Sequence, residues 1–219
     1  MTTWIPNRRA LVAALGATLA ALTTGARPLR AQSAPRGNSP ARHDLDRWMD
    51  ELPTKHRIFV DTASRQGGQD GVQFAGNLFN INESPYGVKP ADVAVIICFR
   101  HQSTAYGYNE AMWAKYGQYF SQRLDLPKPV TVNPLNPAGP LEEGARTVAT
   151  LADKGAVIAV CAQATRGMAG RIAMATGGSQ DAIFKELTAN AVRNGRFVPA
   201  GVVAATHAQE YGYTLLSCA

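Results

Sequence analysis

Cys161 closes an apolar run, Ala156 to Val160, and is followed by Ala162-Gln163-Ala164-Thr165-Arg166. A thiol at such a strand-to-helix turn faces the backbone N–H groups of the next segment, and that field favours the thiolate, the form that attacks or carries sulfur. The opposing reading is a small buried hydrophobe, because free cysteine is among the most buried residue types. Both readings stand at this point.

The groups that could serve such a thiol come from the ends of other strands. His101 follows the apolar run Val93 to Phe99 and could position a substrate or take its proton. Arg65, Arg100, Gln163 and Arg166 could bind the substrate, with Arg100 or Arg166 offsetting anionic charge. Cys218 is a candidate resolving thiol, and Cys98, inside an apolar strand, is expected to be core.

Cys98 and His101 have a C-x-x-H spacing, but no further Cys or His lies near enough to complete a ligand set, so a metal site is not expected. There is no G-x-G-x-x-G, no G-x-x-x-x-G-K-[ST], no G-x-S-x-G, no H-E-x-x-H and no C-x-x-C. Dinucleotide enzymes, P-loop ATPases, serine hydrolases, zincins and thioredoxin-like exchangers all lose their usual marker. No cofactor is implied.

The elements that must position these residues alternate in type. Asp44 can cap a short helix carrying Leu45, Trp48, Met49 and Leu52. Arg57 to Thr62 reads as a first strand, and Asp70 as the cap of a helix through Val72, Ala75, Leu78 and Phe79. Val93 to Phe99 is apolar at every position, as a central strand of a parallel sheet covered on both faces must be. Asn109 caps a helix with Met112, Trp113, Tyr116 and Phe120 on one face.

The Pro-rich stretch 127–140 then interrupts the pattern as a long loop or lid. Leu141 to Lys154 reads as a helix ended at Gly155, Ala156 to Val160 as a strand, and Ser179 as the cap of a helix through Asn190. Phe197-Val198 gives a short strand, Gly201 to Glu210 a last helix and Tyr213 to Leu216 a last strand. The expected fold is α/β, a three-layer α/β/α sandwich around a mainly parallel sheet of about five strands. Ligands of such sheets collect at the carboxyl ends of the strands, where the residues above lie.

Asn7-Arg8-Arg9 precedes an uncharged run from Ala10 to Ala26 diluted by Gly and Thr, the layout of a twin-arginine signal peptide over 1–31, with a cut after Ala31. Residues 32–43 are then a flexible linker, and 44–219 a single domain in the periplasm. The alternative is a retained N-terminal anchor. Cleavage removes Arg8, Arg9, Arg27 and Arg30, so the formal charge of +6 falls to +2. With no basic run and no basic–aromatic interleaving left, nucleic acid is excluded as an expected partner, and no stable membrane insertion is expected after cleavage.

The apolar strand VAVIICF running into His101, the helix EAMWAKYG from Glu110, the unit AVIAVCAQA around Cys161 and the tail RFVPAGVVAATHAQEYGYTLL resemble the DsrE/DsrF-like (DsrEFH) sulfur-relay family over most of the mature domain. The resemblance implies a persulfide-carrying cysteine at Cys161, a small sulfur compound or a partner thiol protein as the other reactant, and a homo-oligomer. Export and the insertion before Leu141 depart from the relay members. A non-catalytic ligand-binding or assembly module with the same fold is the alternative, to be preferred if Cys161 is sealed.

Overall fold

A computed structural model describes residues 40–53, 55–137 and 146–218. The expected signal peptide, the linker up to residue 39 and the end of the Pro-rich stretch lie outside the described residues. Packing of the compact unit begins at Arg42. The Arg42 guanidinium lies 3.9 Å from the centre of the Tyr211 ring, and the His43 N–H donates to the Tyr211 hydroxyl at 3.2 Å.

Five strands form one all-parallel sheet: β1 (His56–Thr62), β2 (Val93–Phe99), β3 (Val157–Cys161), β4 (Gly195–Val198) and β5 (Thr214–Cys218), ordered β4-β3-β2-β1-β5. Every residue of β2 is buried, the outcome its unbroken apolar sequence requires. Register is fixed by pairs such as Val60 with Ile97, Phe99 with Val160 and Thr62 with Cys218.

Alternation along the strands sends side chains to two separate cores. Val60, Val95, Ile97, Phe99, Ile158 and Val160 meet α1 (Arg65–Glu83), α2 (Glu110–Arg123), α3 (Val148–Asp153), α4 (Ala162–Thr176) and α5 (Gln180–Ala189). Phe59, Ala94, Ile96, Cys98, Ala159 and Val198 meet Trp48 and Met49 of a 3-10 helix at Asp44–Met49, together with α6 (Gly201–Glu210). The result is the expected three-layer sandwich.

Some boundaries differ from the sequence reading. Asp44 lies inside the 3-10 helix, which follows His43 without a side-chain cap. Asp70 lies inside α1, whose cap is Ser64, its hydroxyl accepting the Gly67 N–H at 2.8 Å. Glycines in the first turns disguise this start, and packing requires one of them: a Cβ on Gly67 would lie 2.4 Å from the Cys218 carbonyl oxygen. Of the helix read over 141–154, residues 141–145 lie outside the described residues; the described part starts at Val148, where Thr147 and Thr150 bond reciprocally as a capping box. Three of the four aromatic residues of the Tyr108 to Tyr119 region, Tyr108, Trp113 and Tyr116, are core.

The described part of the Pro-rich stretch is fastened down. Buried Asn133 donates to the carbonyls of Tyr106 at 2.9 Å and Tyr108 at 3.2 Å and accepts from the Leu135 N–H at 3.1 Å. Pro134, Leu135 and Pro137 line a cavity against α1, away from Cys161.

Candidate functional site

Cys161 is both the last residue of β3 and the cap of α4, with extended backbone at φ −72° and ψ 111°. Its sulfur accepts the Ala164 N–H of the first turn of α4 at 3.4 Å and the Gly201 N–H, the first of α6, at 3.3 Å. Two helices therefore start on one sulfur atom, and both present unpaired amide ends and the positive end of their dipoles to it. The thiol is 6% exposed and opens into a cavity of about 390 Å³ lined by Arg100, His101, Arg123, Cys161, Gln163, Met168 and Arg171 among others.

The approach of α6 depends on the absence of a side chain at its first residue. A Cβ on Gly201 would lie 2.7 Å from the Arg100 Cβ and 3.1 Å from the Cys98 sulfur. Cys98 and Cys161 thus flank Gly201 on the same face of the sheet. Cys98 pairs with Ala159 in register, so its Cα is roughly 8 Å from that of Cys161, beyond disulfide reach. Burial, and then the Asp61 carboxylate, push the Cys98 thiol well above its ordinary range, so it remains a neutral core thiol.

Arg100 is anchored rather than free. Its Nε and Nη2 donate to the two carboxylate oxygens of Asp61, each at 2.7 Å, with Asp61 almost buried. The hydrogen bond to Asp61 holds the guanidinium above its ordinary value, so it is a fixed cation on the wall of the cavity. His101 follows in the left-handed region at φ 54°, a conformation that costs a non-glycine residue of order 1 kcal/mol. Ser103 holds the turn, its hydroxyl donating toward the carbonyls of Arg100 at 2.8 Å and Thr62 at 3.0 Å, and the Gln102 N–H donates to the Ala63 carbonyl at 2.9 Å. The imidazole is thereby presented, exposed, at the cavity rim.

Of the residues singled out in the sequence, Cys161, His101, Arg100 and Gln163 share this cavity. Three others do not. Arg65 donates to the Asp125 carbonyl at 2.8 Å. Arg166 pairs with Asp181 at 3.0 Å and lies 4.2 Å over the Phe184 ring. Cys218 belongs to β5, separated from β3 by two strands and so roughly 14 Å away; burial, then Asp70 and Asp61, push its thiol up to about 11. As placed, it cannot resolve a bond formed at Cys161.

Arg123 and Arg171 escaped the sequence reading. Residues 164, 168, 171 and 175 recur at three- and four-residue spacing, so Arg171 shares the face of α4 that starts at the thiol, whereas Arg166 is turned away. That spacing was readable once α4 was recognised as a helix. Arg123, the last residue of α2, carried no such signal.

Among the described residues there is no group of three or more His, Cys, Asp or Glu that could hold a metal ion, and no helix long and apolar enough to cross a membrane. No protein-family model, curated protein or solved structure matches the chain.

Proposed function

We propose that the protein handles sulfur covalently through Cys161, as the DsrE/DsrF resemblance implies. The observation that carries this reading is the double amide contact to a sulfur that opens into a basic cavity. The Cys161 thiolate attacks the outer sulfur of a donor persulfide, R–S–S⁻. A new S–S bond forms to Cys161, the donor S–S bond breaks, and R–S⁻ leaves with the bonding pair, so no external oxidant is needed. The Ala164 and Gly201 amides are placed to hold negative charge on the sulfur, His101 to supply a proton to the leaving thiolate, and Arg100 to offset its charge.

On the same reading the domain works in the periplasm, reached through the Arg8-Arg9 signal, and its other reactant is a small sulfur compound or a partner thiol protein. The test is mass spectrometry of the purified mature protein after polysulfide treatment, comparing wild type, Cys161→Ser and Cys218→Ser. The expected result is a gain of one sulfur atom in wild type and Cys218→Ser, absent from Cys161→Ser. No gain on a reduced Cys161 that still reacts with iodoacetamide would replace this reading with a binding module.

A further inference from the structure

The cavity at Cys161 has a neighbour. A second cavity of about 250 Å³, lined by Tyr119, Gln122, Arg123, Met168, Arg171 and Ala175, shares Arg123, Met168 and Arg171 with the first. Both arginines therefore line the boundary that the two cavities share. Among the described residues neither cavity is lined by a carboxylate. The charge of Arg100 is matched by Asp61, but Arg123 and Arg171 form no ion pair with any described residue.

Partial burial, and then the Arg171 charge, lower the affinity of the Arg123 guanidinium for its proton. Two like charges held together, with no counter-charge among the described residues, are unfavourable until an anion joins them. The direction of the helix fits the distance to be spanned. Arg171 is seven residues beyond Ala164, roughly 10 Å along the α4 axis, and helical side chains lean toward the N-terminus, here toward the thiol.

We propose that Arg123 and Arg171 form a subsite for an oxyanion group, and that the molecule handled at Cys161 carries such a group beside its reacting sulfur. The first half stands on the arginine pair alone; the second rests on the reading of Cys161 given above. Planar guanidinium forks bind sulfonate, phosphate or carboxylate oxygens in pairs, and Met168, which lines both cavities, gives the sulfur-bearing end an apolar wall.

The test compares alkylation of Cys161 by anionic iodoacetate and neutral iodoacetamide, each rate normalised to that of glutathione. The expected iodoacetate-to-iodoacetamide ratio exceeds that of glutathione by about ten-fold and returns to it in Arg123→Gln and Arg171→Gln. A ratio equal to that of glutathione, or one unchanged in both variants, overturns the subsite. Should Cys161 resist both reagents, the covalent reading fails separately, and the subsite is read in Cys161→Ser protein. There the gain in melting temperature from sodium sulfate over sodium chloride at equal ionic strength should exceed that of the same protein carrying Arg123→Gln and Arg171→Gln. Equal gains overturn it.

Discussion

The Gly201 amide donates to the Cys161 sulfur at 3.3 Å, joining the first residue of α6 to the last residue of β3. The bond exists because nothing but hydrogen stands on the Gly201 Cα, where a Cβ would meet both Arg100 and the Cys98 sulfur.

Gly201→Ala should therefore act on both the fold and the site. The added methyl overpacks against Arg100 and Cys98, at a cost of about 1–3 kcal/mol, and moves the start of α6 away from the sulfur. Urea denaturation is expected to show the loss in stability, and the iodoacetamide rate at Cys161 should change with it. An unchanged rate would mean that the Gly201 amide does not influence the thiol.

The three thiols should separate in native protein near neutral pH. Cys161 meets a cavity, while burial holds the Cys98 thiol well above its ordinary range and the Cys218 thiol at about 11. Peptide mapping after brief iodoacetamide treatment should find Cys161 modified alone, with Cys98 and Cys218 reacting only in denaturant. Early labelling of Cys218 would contradict its burial.

The Asp61–Arg100 pair should behave asymmetrically. Arg100→Met leaves a carboxylate that is almost buried without its partner, whereas Asp61→Asn leaves a more exposed guanidinium. The first substitution is expected to cost more, with about 3 kcal/mol as the scale for a broken buried pair. The double variant should recover part of that loss. Strictly additive costs in the double-mutant cycle would deny the coupling.

Stability should fall at alkaline pH. Desolvation raises Tyr106 and Tyr213 to about 12 from 10.0, and Cys218 to about 11 from 9.0. These groups favour the folded state fully below their unfolded values, because they are then neutral in both states. As pH rises past about 9 the unfolded chain ionises first, and the contribution disappears as pH passes the folded values. Denaturation midpoints between pH 8 and 11 should decrease steadily, less so in Cys218→Ala relative to its own value at pH 8.

The sheet was legible in the sequence because its strands announce themselves: Val93 to Phe99 has no polar position to mislead, and Asn109 and Ser179 cap the helices they precede. Helices that contain glycine were harder to read. Gly67 and Gly68 hid the start of α1, and Gly167 and Gly170 leave the stretch after Cys161 without a clear apolar pattern of its own. That stretch reaches the site, and only its helical form sets Arg166 and Arg171 on different faces. Cys161, His101, Arg100 and Gln163 were accessible because the carboxyl edge of a parallel sheet collects whatever follows its strands. Cys218 follows the same rule, yet strand order puts two strands between it and Cys161, and order is fixed by long-range pairing that no local pattern states.

That order also shapes how the chain comes together during synthesis. β1, the first strand made, has β5 as its outer neighbour, so a ribosome that has released residues up to 198 has delivered four strands and left one edge of β1 bare. Until residues 214–218 emerge, that edge is open to strands from other nascent chains. Slowed translation between residues 198 and 214 lengthens this interval and should increase aggregation relative to unslowed synthesis.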